Sequence, residues 1–140
     1  MTPVLLHATT VAIDGAAVLL RGPSGSGKSD LALRLIDRGA TLVSDDYTLL
    51  TAKDGHLLAS APATIAGKIE VRGLGIVSVE PCGEAPVALV VRLDQAMERM
   101  PPELRSCYNG VSIVEVAIDP FELSAPIKVE LALQHAREAP

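Results

Sequence analysis

The chain has 140 residues, 49% hydrophobic and 21% charged, a balance that supports a folded core and excludes a disordered polymer. Its formal net charge of −5 argues against a general polyanion-binding surface, because such binding draws mainly on Lys and Arg contacts to phosphate. With two Tyr, one Phe and no Trp, the core must be aliphatic, and stacking platforms for single-stranded nucleic acid are not expected.

Cys82 and Cys107 stand apart rather than in a C-x-x-C pair, and the sequence carries no signal-peptide pattern. No apolar run approaches the roughly 18 residues of a membrane span. These features predict a soluble, cytoplasmic protein with one domain over residues 1–140.

Residues 4–13 mix β-branched and apolar side chains, and Asp14-Gly15 is a hairpin signal before the next apolar run. Two antiparallel strands are expected, the second leading through Ala17-Val18-Leu19-Leu20 into a glycine-rich stretch. His7 lies on the first strand, where a half-exposed structural histidine is an equal reading of the residue by itself.

The stretch Gly22-Pro23-Ser24-Gly25-Ser26-Gly27-Lys28-Ser29 satisfies the pattern G-x-x-x-x-G-K-[ST] between a strand and a helix. The glycines allow successive backbone N–H groups to turn inward around a phosphate, and the first turn of the next helix adds unpaired N–H groups. Lys28 can reach the β- and γ-phosphates, and the Ser29 hydroxyl can ligate Mg²⁺. All eight residues are therefore expected to bind nucleotide.

Residues 29–38 place Leu31, Leu33, Leu35 and Ile36 at helical positions, and Gly39 is a helix stop. Ala40-Thr41-Leu42-Val43-Ser44-Asp45-Asp46 follows as a buried strand ending in two carboxylates. Adjacent carboxylates are often an ordinary solvated turn. Here a helical crossover is expected to return this strand end to the phosphates, where an acidic residue commonly holds Mg²⁺ directly or through water.

Residues 47–50 and 56–59 flank Asp54-Gly55 and predict a peripheral hairpin. The β-rich run Ile69-Glu70-Val71-Arg72-Gly73-Leu74-Gly75-Ile76-Val77 contains two glycines, which suggests a bulge or a close approach to backbone or ligand. A surface Glu and Arg pair is an equal reading of that run. Residues 85–93 read as a buried strand, 94–100 as a short helix closed by Pro101-Pro102, 111–118 as a strand, and 126–137 as a final helix.

His7 fifteen residues before Gly22, the glycine-rich loop, the Val43-Ser44-Asp45-Asp46 strand end and the Glu70-Val71-Arg72-Gly73-Leu74-Gly75-Ile76 run together resemble the catalytic domain of the HPr kinase/phosphorylase family. These are bacterial serine kinases that modify the phosphocarrier protein HPr. The resemblance covers most of the chain from His7 to about Arg99. It implies an α/β fold with a P-loop-containing mixed β-sheet core and flanking helices. It also implies Mg²⁺ with ATP as phosphoryl donor, an HPr-like phosphocarrier as partner, and hexameric assembly.

Residue by residue, the resemblance implies that Lys28 binds ATP phosphates and that Ser29, Asp45 and Glu70 serve the metal. Asp46 matches the family's proton-transfer carboxylate, with Asp45 beside it and His7 against the pair. Arg99 matches the catalytic arginine at a shortened spacing, and Arg72, Gly73, Leu74 and Gly75 match a substrate or catalytic loop.

Two departures bear on function. The long N-terminal domain of the larger members has no counterpart here, so the chain reads as a short form. Asp119-Pro120-Phe121-Glu122-Leu123-Ser124-Ala125-Pro126 is acidic and apolar where those members carry a basic, Gly-containing loop associated with dephosphorylation. The leading expectation is a serine kinase, with phosphorolysis as its reverse. A non-catalytic nucleotide-sensing module and a small-molecule P-loop kinase stay open as alternatives.

Overall fold

The computed structural model of the chain describes residues 2–138. The long first strand, β1 (Val4–Ile13), turns at Asp14-Gly15 into β2 (Ala16–Arg21), with Ile13 opposite Ala16, as the hairpin signal predicts. A glycine-rich loop leads into α1 (Lys28–Asp37), and β3 (Thr41–Ser44) returns antiparallel to β1. Next come β4 (Tyr47–Lys53), β5 (His56–Ser60), β6 (Lys68–Val71), β7 (Gly75–Ser78) and β8 (Ala85–Arg92). The chain closes with β9 (Leu104–Tyr108), β10 (Val111–Ala117) and α2 (Ala125–Glu138).

The sheet is mixed and closes on itself. Pairing runs from β2 through β1, β4 and β5 to β8, and β8 then pairs in parallel with β2. β10 lies parallel to the other edge of β8 and carries β9 antiparallel outside it. Closure explains the uninterrupted apolar runs of β2 and β8, whose two faces are both buried. Val18 and Leu20 join Leu31, Ala32 and Leu35 of α1 and Val129 and Leu133 of α2 in one core. Ala17 and Leu19 face the sheet interior with Val43, Leu50, Leu57 and Val90. A register shift between Ala17 and Val18 lets Val87 and Leu89 enter different cores although they are two residues apart.

Both helices pack on the same core, as flanking helices were expected to do. α1 ends where Gly39 predicts: the Gly39 N–H donates to Ile36 O and the Ala40 N–H to Leu35 O, both at 3.0 Å, in a Schellman arrangement. The Arg38 guanidinium then grips Glu130 of α2 through Nε and Nη2, the shortest contact being 2.7 Å. Among the described residues, no helix is long and apolar enough to cross a membrane.

The structure corrects four expectations. The β4–β5 hairpin is not peripheral: Leu50, Leu57 and Ala59 are buried, and β5 pairs with β8 to complete the closure. Residues 94–100 form no helix. They are almost wholly exposed, and a single exposed turn without an apolar face to pack cannot offset the cost of helix nucleation. Gly73 and Gly75 make no close approach to other backbone or side-chain atoms of the chain, since a Cβ on either would meet nothing within 4 Å. Their positive φ angles of 91° and 93° form the turn between β6 and β7. Finally, β9 was not anticipated. Asn109-Gly110 is its hairpin signal, but β9 is largely exposed and lacks the apolar run that marks a buried strand.

Candidate active site

Three parallel strands aim their C-terminal ends at one edge. Arg21 of β2 aligns with Arg92 of β8, which aligns with Ala117 of β10. The loops leaving these strands share that rim, the usual location of ligand crevices in sheets of this kind. The loop after β2 is tight: the Ser26 N–H donates to Pro23 O at 3.0 Å. Gly27 caps α1 in the left-handed region at φ 95°, with no side-chain cap. A Cβ there would also lie 3.3 Å from the Pro120 ring, so glycine is required both for backbone conformation and for space.

Lys28 is buried, and its ammonium donates to Gly22 O at 2.7 Å and Pro23 O at 3.1 Å, folding into the loop that precedes it. Burial holds its pKa below the ordinary 10.5, while the charges of Asp46, Asp45 and Asp94 pull in the opposite direction. Ser26 Oγ in the same loop is buried and has no hydrogen-bond partner among the described residues.

Beside the loop, β3 ends and β4 begins with Asp45 and Asp46 between them, both strands pairing with β1. Asp45 is only 7% exposed and is engaged by three donors. Its Oδ1 accepts from Ser29 Oγ at 2.6 Å and Thr9 Oγ1 at 3.1 Å, and its Oδ2 from the Glu70 N–H at 2.9 Å. Asp46 faces outward, in the left-handed region at φ 69°, and its Oδ1 lies 2.8 Å from His7 Nε2. The expected approach of the strand end to the helix start is thus met at a direct hydrogen bond.

Two participants escaped the sequence reading. Thr9 is fully buried, and its hydroxyl accepts the Asp46 N–H at 3.0 Å while donating to Asp45, so one side chain sets both carboxylates. Tyr47 stacks on the His7 ring with centroids 5.0 Å apart. The available signal was strand alternation, which puts Thr9 on the same face as His7.

Of the remaining expected site residues, only Glu70 contacts this cluster. Glu70 reaches it through its backbone N–H, and its side chain is exposed on β6. Arg72, Gly73, Leu74 and Gly75 occupy the exposed turn after β6. Arg99 stands apart: among the described residues no hydrogen bond or ion pair joins it to the carboxylates. It lines a cavity of about 410 Å³ with Met97, Glu98, Ala117 and Lys128.

A hydroxyl, the Asp45 and Asp46 carboxylates and a lysine thus gather at the start of a helix whose first N–H groups lack side-chain caps, a chemistry suited to a polyanion with a hard cation. Comparison with known proteins agrees with the earlier resemblance. Over 74 residues the chain is 45% identical to HPr kinase/phosphorylase of Clostridium botulinum (strain Eklund 17B / Type B), and 46% identical to that of Clostridium tetani (strain Massachusetts / E88). Each match takes in 53% of this chain and 24% of the relative, so the matched segment spans about a quarter of their length. The solved structure of the Hpr(Ser) kinase/phosphatase from Coxiella burnetii superposes with a TM-score of 0.83 at 26% identity, covering 95% of both chains. The family model described as the HPr Serine kinase C-terminal domain matches residues 2–98, and the chain belongs to that family.

Proposed function

We propose that this chain is a Mg²⁺- and ATP-dependent protein serine kinase whose acceptor is an HPr-like phosphocarrier. The observation that carries the reading is the joint at the loop's end, where Ser29 Oγ meets Asp45 with Asp46 adjacent and held by His7. In this reading residues 22–29 form the P-loop: backbone N–H groups of the loop and of the first turn of α1 take the donor's phosphates. Lys28 leaves the Gly22 and Pro23 carbonyls to join them.

The donor set fits Mg²⁺. Ser29, Asp45 and Glu70 offer only oxygen, and Asp45 already holds the Ser29 proton, leaving the hydroxyl lone pairs for a cation. Bound there, Mg²⁺ supplies neutralisation of the phosphate charge. Asp46, oriented by His7, accepts the proton of the acceptor serine as its oxygen bonds to the γ-phosphorus and ADP leaves. In the reverse direction protonated Asp46 returns that proton to the serine oxygen while inorganic phosphate takes the phosphoryl group, forming pyrophosphate. The free thiols of Cys82 and Cys107 fit a cytoplasmic setting, and assembly into hexamers completes the proposal.

The test is mass spectrometry of HPr-like carriers after incubation with protein and Mg-ATP. One phosphoryl group on a carrier serine is expected, absent with Lys28→Ala. Failure to modify any carrier while ATP is bound would overturn the kinase reading, and light scattering reads the assembly.

A further inference from the structure

The segment after β10 has no task in the reaction above, yet it is carefully braced. Asp119 Oδ1 accepts the Phe121 N–H at 2.9 Å, a local Asx turn that fixes the backbone of the aromatic residue. Arg34 of α1 donates to Pro120 O and, at 3.3 Å, to Glu122 O. Lys128 of α2 donates to the Glu122 carboxylate at 3.0 Å. Two helices and one Asx turn therefore hold the loop in place.

What the loop presents is an unpacked ring. Phe121, the chain's only phenylalanine, is 74% exposed. Its ring edge lies 3.5 Å from the point where a side chain on Gly27 would begin. An exposed aromatic on a braced loop, touching the last glycine of the glycine-rich loop, is not explained by either core.

We propose that Phe121 is the stacking platform for the purine base of the nucleotide whose phosphates occupy residues 22–29; this rests on the nucleotide-binding reading given above. The topology supports it. β2, β8 and β10 are parallel, so the segment after β10 stands on the same rim as the glycine-rich loop, and it flanks that loop at Gly27. A nucleotide anchored by its phosphates lays its base along the rim, and an aromatic face accepts any base through stacking. Charge gives the polarity. Lys28 draws phosphate into the glycine-rich loop, whereas the Asp119 carboxylate, which accepts a backbone N–H, disfavours phosphate beside the ring. The acidic, apolar character of this segment thereby acquires a role.

Isothermal calorimetry with ATP and with inorganic triphosphate tests the assignment. Phe121→Ala is expected to weaken ATP binding about tenfold, within the range seen for losing one base-stacking contact, while triphosphate affinity stays unchanged and Phe121→Tyr restores ATP binding. Phe121→Trp provides a second measurement, because the chain has no other tryptophan: ATP should quench the fluorescence and triphosphate should not. Unchanged ATP affinity in Phe121→Ala overturns the proposal. So does a rise in carrier KM with ATP affinity intact, which would assign the ring to protein docking. If neither ATP nor triphosphate binds the wild-type chain, the phosphate reading fails and this inference with it.

Discussion

Ser29 Oγ donates to Asp45 Oδ1 at 2.6 Å, tying the first turn of α1 to the end of β3 across a cluster in which Asp45 meets only donors. Asp45→Asn keeps the shape but replaces one acceptor oxygen with an amide donor, so one of the three donors loses its partner. Leaving such a group unsatisfied should cost about 1–3 kcal/mol. Urea denaturation should show the unfolding free energy lowered by that amount, and the transfer assay should show loss of activity.

Thr9 should matter through its hydroxyl rather than its volume. Thr9→Val preserves the shape while removing the acceptor for the Asp46 N–H and a donor to Asp45, at a cost of about 1 kcal/mol in stability. Its kcat should fall with the KM for ATP little changed, and Thr9→Ser should recover most of the loss. Steady-state kinetics on the three proteins checks this, and an equal effect of both substitutions would indicate packing instead.

Asp46 and Lys28 should divide the work between chemistry and binding. Asn tolerates the left-handed backbone at φ 69°, so Asp46→Asn removes the proposed base without backbone strain. Transfer should fall by about 10²–10⁴, the usual contribution of a positioned base, while ATP affinity stays within a few-fold. Lys28→Ala should damage both. Calorimetry beside single-turnover kinetics separates these outcomes.

The lowered pKa of Lys28 predicts an alkaline signature. Between that lowered value and the ordinary 10.5, the unfolded chain keeps a proton that the folded chain has released, so this residue's contribution to stability rises with pH across the window. The urea midpoint of the wild type should therefore climb relative to Lys28→Met as pH approaches 10.5. Bound phosphates favour the charged lysine and reverse the preference. ATP binding should take up a proton in the same window, visible as a calorimetric heat that depends on the buffer's ionisation enthalpy.

Much of this was legible in the residues because local and global signals agree there. The Asp14-Gly15 turn, the glycine-rich loop, the Gly39 stop and the carboxylate pair each act through nearby backbone, and each predicted what formed. Closure of the sheet was not legible, because pairing of β5 with β8 depends on contacts far apart in sequence, and it made a presumed outlying hairpin central. Thr9 was missed for a related reason: a threonine on a strand is unremarkable until the fold brings residues 45 and 46 to it. The proposed helix over residues 94–100 shows the opposite failure, a local pattern with no surface to pack on.

The inward fold of Lys28 onto Gly22 and Pro23 makes the loop its own competing ligand. An arriving anion competes with two carbonyls for the three N–H groups of the ammonium, so full engagement is an exchange rather than a simple addition. A lone phosphate that reaches only the lysine gains little from that trade. A longer polyphosphate that also engages the N–H groups at the start of α1 recovers more than the carbonyls lose. Under the proposed function, the closed loop would therefore discriminate by ligand length, favouring nucleoside triphosphate over orthophosphate.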